Sequence, residues 1–279
     1  MTQPATLSPA VEAFDAVAAR FDARFGEWRS VAAQRRSVRA ALAKAFPRGA
    51  HVLEIGGGTG LDARWLAARG REVQLTDPAP SMVRIARAKL RSQGGPEPRV
   101  LGGEELARWA AERAAAGEPR FDGAFSNFAA LNCIDEPARF ASGLAALLDE
   151  GAPALLVLFG TLCPGELVVQ LALGDARRAL RRRERGAVPA RLGGRDFTVR
   201  YHTARDLAGA MAPWFRLRRR IGVGVLVPPS AAEPWISRHP ALLRTLECVD
   251  RAVARPLAPL GDHVLYWFER TSAPAPAAG

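Results

Sequence analysis

The sequence predicts an α/β fold, a doubly wound sheet of mostly parallel strands with helices on both faces. Three observations lead there. Between residues 51 and 159, short apolar runs alternate with segments of helical period, the repeated strand and helix that bury a parallel sheet on both sides. The first run ends in "GGGTG", Gly56 to Gly60, placed between a strand and a helix. Finally, 279 residues with 48% apolar content suffice for one sizeable core, a single domain carrying insertions.

Residues 9–28 and 29–46 have apolar positions at helical spacing and predict two helices before the first strand. "AHVLEIG" is a short buried strand, and "LDARWLAARG" a helix closed by Gly70. "EVQLTD", ending at Asp77, is a second strand. Pro80 opens a helix through "SMVRIARAKL", with Met82, Ile85 and Leu90 available for burial. A weak third strand follows in "PRVLGG", a helix in "EELARWAAERA", a fourth strand in "FDGAFSNF", a helix in "PARFASGLAALL" and a fifth strand in "APALLVLF".

Beyond Gly160 the rhythm breaks. The insertion begins "TLCPGELVVQLALGDARRALRRRER": an apolar, helix-like stretch over 167–173, then Arg177, Arg178, Arg181, Arg182, Arg183 and Arg185. Three readings stand: a helix packed on the domain with a solvated arginine face, an interfacial lid meeting a lipid or greasy substrate, and a nucleic-acid contact. The last ranks lowest because no aromatic platform accompanies the arginines. Pro153, Pro164 and Glu166 break the apolar stretch 152–173, against a transmembrane span. "FRLRRRIGVGVLV" and "HVLYWFER" are strand signals, with a helical cover containing Trp235 between them. The expected organisation is a helical cap over 1–48, a cofactor-binding core over 49–160, a substrate-side lid over 161–214, the last strands over 215–271, and a disordered tail over 272–279.

The formal charge of +11 raises the question of a polyanionic partner. Yet Lys44 and Lys89 are the only lysines, and arginine, alanine, glycine and proline are all favoured, as GC-rich coding favours them. Cys133, Cys163 and Cys248 are odd in number and far apart, which excludes a disulfide framework or a C-x-x-C metal site and leaves small buried hydrophobes. No metal is expected. The N-terminus lacks the pattern of a signal peptide, so the expected location is cytoplasmic.

The glycine stretch carries the chemistry. Glycines between a parallel strand and a helix N-terminus let a ligand lie against bare backbone N–H groups. Gly56, Gly58 and Gly60 follow G-x-G-x-G, and Asp77 ends the next strand 21 positions after Gly56, where a carboxylate meets the hydroxyls of a ribose. Two details choose among nucleosides. Leu61 stands where a nicotinamide or flavin enzyme usually needs its third glycine, and Glu54 would repel a pyrophosphate while suiting a cationic ligand.

On these residues the chain resembles the class I S-adenosylmethionine-dependent methyltransferases, whose first motif reads much like "VLEIGGGTG". The likeness runs roughly over residues 14–159. It implies a Rossmann-like fold whose last two strands pair antiparallel at one sheet edge, with S-adenosyl-L-methionine as cofactor. Glu54, Gly56, Gly57, Gly58 and Gly60 would hold the methionine end and Asp77 the ribose. The "PAPSMV" stretch would put Pro78 and Met82 near the adenine and ribose. "FDAVAARFD" looks like the family's leading helix, which helps close the cofactor pocket; Phe14 and Phe21 also fit as core-facing aromatics. The family's Gly-Asp after the third strand is replaced by "LGGEEL", where Glu104 or Glu105 would substitute. Ser126, Asn127 and Phe128 would border the methyl and the substrate.

An "NPPY"-type tetrapeptide is missing, which lowers the weight of amino-group methylation. The reading is transfer to oxygen or carbon of a small, apolar or amphiphilic acceptor, with His202 in "TVRYHTARD" and Asn127 as catalytic candidates. Possible peripheral membrane contact goes with that reading. A nicotinamide-dependent oxidoreductase, or a noncatalytic protein docking on membrane or nucleic acid, are the alternatives.

Overall fold

The computed structural model describes residues 7–26 and 28–272. Helices α1 (Pro9–Gly26) and α2 (Arg29–Ala45) precede β1 (His51–Ile55), as their spacing predicts. Then come α3 (Leu61–Ala67), β2 (Glu72–Asp77), α4 (Pro80–Leu90), β3 (Arg99–Val100), α5 (Leu106–Ala115), β4 (Gly123–Ser126), α6 (Pro137–Leu147) and β5 (Pro153–Phe159). Pro80 and Pro137 begin α4 and α6, where a missing N–H costs nothing.

The strand order is β3-β2-β1-β4-β5-β9-β8, with β8 spanning Phe215–Val223 and β9 spanning His263–Arg270. The first five strands run parallel. β9 enters antiparallel to β5, setting Phe159 opposite His263, and β8 pairs antiparallel with β9. The antiparallel strand therefore lies one place in from the edge. The outer strand β8 is bulged between Leu217 and Arg219 and exposes arginines, both of which discourage edge pairing.

Strand side chains alternate between two cores. Leu53, Leu156 and Leu158 pack with Leu106, Trp109, Phe140 and Leu144 of α5 and α6, while Val52, Leu155 and Val157 pack with Leu42, Leu66 and Ala86 of α2, α3 and α4. Both faces are thus covered, and the carboxyl ends of β1, β2, β4 and β5 share one rim.

The insertion departs from its sequence reading in two ways. It holds α7 (Pro164–Ala172) and α8 (Ala176–Leu180), but then a separate hairpin of β6 (Ala187–Leu192) and β7 (Arg195–Arg200). Gly193 and Gly194 make its turn at positive φ, and Phe197 meets Phe14 of α1 edge-on at 5.9 Å. Second, the most buried side chains of α7 are polar, with Leu167 and Val169 only half-buried beside them. Glu166 and Gln170 point inward, whereas Val168 and Leu171 are exposed, because Glu166 is held by Arg181 and Arg182.

Helix α9 (Ala204–Met211) begins at Thr203, whose hydroxyl caps it by accepting the Asp206 N–H. The cover between β8 and β9 contains Trp235 and α10 (Pro240–Val253), and rests on α2 through Ile236, Leu243 and Ala33. The expected burial of the cysteines holds for Cys163; Cys133 is half-buried and Cys248 is exposed. Burial pushes the Cys133 and Cys163 thiols up to about 11, so neither serves as a nucleophile near neutral pH. The tail 273–279 lies outside the described residues. Among the described residues no helix is long and apolar enough to cross a membrane.

Candidate functional site

The glycines of the turn after β1 answer two demands, close packing and an open backbone. A Cβ on Gly56 would stand 2.4 Å from that of Ala130, and one on Gly57 would stand 2.7 Å from the Leu75 side chain and 2.8 Å from Glu54 Cδ. Those two are required by packing. Gly58 is at φ +56° with nothing within 4 Å of the Cβ position, so the turn there presents bare backbone toward open space.

Asp77, ending β2, shapes this turn. Its two oxygens accept the Gly58 N–H at 2.8 Å and the Ala79 N–H at 2.9 Å. Burial pushes the carboxyl up to about 6, and the two backbone hydrogen bonds only partly offset it. Pro78 follows half-buried, and Met82 is fully buried with Ala79 and Ala18. Helix α1 is fastened over the turn by both aspartates of "FDAVAARFD": Asp22 accepts the Thr59 hydroxyl at 2.6 Å, and Asp15 accepts the Ser81 N–H at 2.6 Å.

Glu54 is buried at the end of β1, and its Oε2 has no hydrogen-bond partner. Its carboxyl is held well above the usual range by burial first and by the charge of Asp62 second, with Arg35 opposing. Without a ligand, Glu54 and Asp77 favour their protonated forms, which contribute stability below the ordinary carboxylate range that is lost as pH rises through about 6 for Asp77. A cationic ligand that donates hydrogen bonds reverses this preference. Binding of such a ligand at pH 6 is therefore expected to release protons, read as a buffer-dependent heat in calorimetry; equal heats in buffers of different ionisation enthalpy would refute it.

Asp62 opens α3 and is the hub that sequence reading missed. It accepts Arg35 Nη1 at 2.5 Å, Arg39 Nε at 2.7 Å and Asn127 Nδ2 at 2.7 Å. The available signal was Arg35 and Arg39 one turn apart on α2, facing a first-turn acid. Asn127 is thereby fixed beyond β4, and its Oδ1 accepts the Phe128 N–H. Phe128 and Ala129 both adopt positive φ, 48° and 67°, a conformation that costs side-chain-bearing residues energy and clusters at functional sites. The neighbouring Ser126 hydroxyl is buried without a partner.

Phe128 belongs to an aromatic group at the strand ends. The Arg35 guanidinium lies 4.6 Å from its ring centre, and His263 meets it edge-on at 5.4 Å. His263 in turn stacks on Phe159 at 4.9 Å, and Phe159 contacts Tyr201 at 5.9 Å. Burial keeps the His263 imidazole below its ordinary range. Its Nδ1 lies 3.5 Å from Asp262 Oδ2 and forms no hydrogen bond. His202 stands apart, beside Arg200 and Asp206 at the start of α9, with Nε2 buried and unpartnered. Glu104 is exposed, with Oε1 3.5 Å from the Asp135 N–H. Glu54, the glycines, Asp77 and Asn127 thus stand on one rim, with Phe128 and its aromatic partners beside them. Among the described residues no group of three or more His, Cys, Asp or Glu side chains could hold a metal.

Residues 52–151 match the family model described as a methyltransferase domain. No curated protein matches the sequence. Solved structures share the fold at low identity. A 1,6-didemethyltoxoflavin-N1-methyltransferase of Burkholderia thailandensis is 19% identical, with a TM-score of 0.52 over 98% of this chain and 94% of that one. A geranyl diphosphate C-methyltransferase of Streptomyces coelicolor is 13% identical, with a TM-score of 0.51 over 85% and 79%. An S-adenosylmethionine-dependent methyltransferase of Mesorhizobium loti is 18% identical, with a TM-score of 0.50 over 85% and 98%.

Proposed function

We propose that this chain, whose residues 52–151 match a methyltransferase domain, is a class I S-adenosylmethionine-dependent methyltransferase that methylates oxygen or carbon of a small, apolar or amphiphilic acceptor. One observation carries the choice of cofactor: the buried Glu54 carboxylate, unpartnered at Oε2, beside a glycine turn whose Gly58 is open. A pyrophosphate offers the Glu54 carboxyl neither an opposite charge nor a donor, whereas a ligand with a positive end and a ribose fits Glu54 at one end and Asp77 at the other.

When bound, S-adenosylmethionine supplies an electrophilic methyl group on a sulfonium. Glu54 and the glycine turn hold its amino-acid end, Asp77 the ribose hydroxyls, and Met82 and Pro78 border the nucleoside. Asn127, fixed by Asp62, and the strained Phe128 set the edge at which the acceptor must sit, so orientation supplies much of the rate. Phe128, Phe159 and Tyr201 suit an apolar or aromatic acceptor, and one that partitions into lipid is met through peripheral membrane contact. Two of the solved neighbours named above act on small molecules, which supports an acceptor of that class.

For a hydroxyl acceptor, His263 is the base this reading favours: it is held neutral by burial and stands among the aromatic residues. His263→Asn is then expected to lower turnover about 100-fold while leaving S-adenosylhomocysteine affinity within about twofold. A loss in His202→Asn, with none in His263→Asn, would move the base to His202.

The class itself is tested by calorimetric titration with S-adenosylmethionine and S-adenosylhomocysteine, with NADH as control. Tight binding of the two sulfur nucleosides alone is expected. A preference for NADH would transfer the site to an oxidoreductase, and no binding of any would return the turn to a structural role.

A further inference from the structure

Helix α7 is inverted relative to an ordinary surface helix. Its polar residues Glu166 and Gln170 are buried, whereas Val168 is 66% and Leu171 53% exposed, and Leu173 just beyond its end is 70% exposed. Leu162 before it and Leu180 on α8 are exposed as well. The orientation is pinned from inside: Glu166 accepts Arg181 Nη2 at 2.7 Å and pairs with the buried Arg182, whose Nη2 reaches Asp262 Oδ1 at 2.5 Å. Rolling the helix to hide its leucines would break these buried ion pairs. The outward apolar face is therefore the stable arrangement, and a soluble surface gains nothing from it.

The same segment exposes Arg177, Arg178, Arg183 and Arg185. Against them stand Glu184 and Asp175, the latter engaged with Arg178 at 3.3 Å. Apolar side chains rimmed by arginines match the chemistry of an anionic bilayer, with leucines in the interfacial layer and guanidinium groups on the phosphates. A second copy fits poorly, because a two-fold interface on this face would bring arginines against arginines. Nucleic acid fits poorly too, because residues 161–186 contain no aromatic side chain on which a base could stack.

We infer that the α7–α8 face docks on an anionic phospholipid surface, placing the rim of the sheet where β5 ends against the bilayer. Delivery of a lipid-soluble acceptor from that bilayer rests on the function proposed above; the docking itself does not.

The test is cosedimentation of the full chain with phosphatidylcholine vesicles containing about 30 mol% phosphatidylglycerol, against pure phosphatidylcholine vesicles. Binding only to the anionic vesicles, weakening as salt is raised, is expected. Val168→Asp/Leu171→Asp should lower partitioning about tenfold or more, and Arg177→Glu/Arg178→Glu by a similar factor; both pairs are exposed, and unchanged thermal unfolding checks that they fold. Absence of vesicle binding, equal binding to neutral vesicles, or a dimer dispersed by the leucine-face variant would each overturn the inference. S-adenosylhomocysteine titration of the same samples keeps the two readings apart. Lost vesicle binding with nucleoside binding kept strikes only the docking face, and vesicle binding by a chain that takes no nucleoside strikes only the catalytic reading.

Discussion

Asp77→Ala is expected to lower affinity for S-adenosylhomocysteine about 100-fold or more while the protein stays folded. Two losses combine. In the function proposed above the carboxylate accepts from the ribose hydroxyls, and hydrogen bonds to a charged group are worth about 1.5–3 kcal/mol each. It also holds the glycine turn through the Gly58 N–H at 2.8 Å and the loop after β2 through the Ala79 N–H at 2.9 Å, so its removal frees the backbone that must lie against the ligand. Because burial already pushes this carboxyl up to about 6, ionised Asp77 is destabilising at neutral pH without a ligand. Its loss should therefore cost little stability. Asp77→Asn keeps the size and one acceptor oxygen, so it should fall between wild type and alanine. Calorimetric affinities of the two variants beside their melting temperatures decide the matter: an alanine variant that binds normally would remove Asp77 from the cofactor site, and one that also fails to fold would make it a residue of the scaffold.

What the sequence disclosed, and what it hid, follow from the range of the forces involved. The first five strands and their helices were legible because each reports locally: apolar period, a proline at a helix start, a glycine at a helix end. Glu54, Gly58 and Asp77 were legible because the spacing of an acid, a glycine turn and a second acid is short and sits on neighbouring strands. Asp62 was not, since its partners Arg35, Arg39 and Asn127 come from α2 and the end of β4, and nothing in a linear string marks a first-turn aspartate as a hub. The β6–β7 hairpin had a local signal in "RLGGRD" that the surrounding arginines obscured. Helix α7 was undecided for a different reason. Its apolar content is compatible with a face packed on the domain or turned outward, and the choice falls to the carboxylate of Glu166, which is drawn to the interior because Arg182 is already buried beside Asp262.

That buried arginine carries the largest expected effect on stability. Arg182 pairs with Glu166, donates to Asp262 Oδ1 at 2.5 Å and to the Asp262 carbonyl at 2.6 Å, and reaches the Gly160 carbonyl at 3.2 Å. It therefore ties the α7–α8 insertion to the end of β5 and the start of β9. Arg182→Met keeps most of the volume but leaves two buried carboxylates with less opposing charge: Glu166 retains Arg181 and Asp262 retains Gln34 at 3.0 Å. Breaking one partner out of a buried ion network costs about 3–5 kcal/mol, which at roughly 2–4 °C per kcal/mol lowers the melting temperature by about 10 °C. The pH dependence separates charge from packing. Burial alone would raise the Asp262 carboxyl, but in the intact network the Arg182 charge and the Gln34 amide hold it below its ordinary range, so its contribution is present above that range and lost as pH falls through it. In Arg182→Met the remaining carboxylates can be relieved by protonation. The gap in melting temperature between wild type and variant should accordingly be widest near pH 7.5 and narrow toward pH 5. A gap independent of pH would assign the loss to packing, and no gap at all would show that the insertion is held by other contacts. If the pairing sets the roll of α7, the same substitution should also release its leucine face, seen as faster hydrogen exchange over residues 164–172 than over β5.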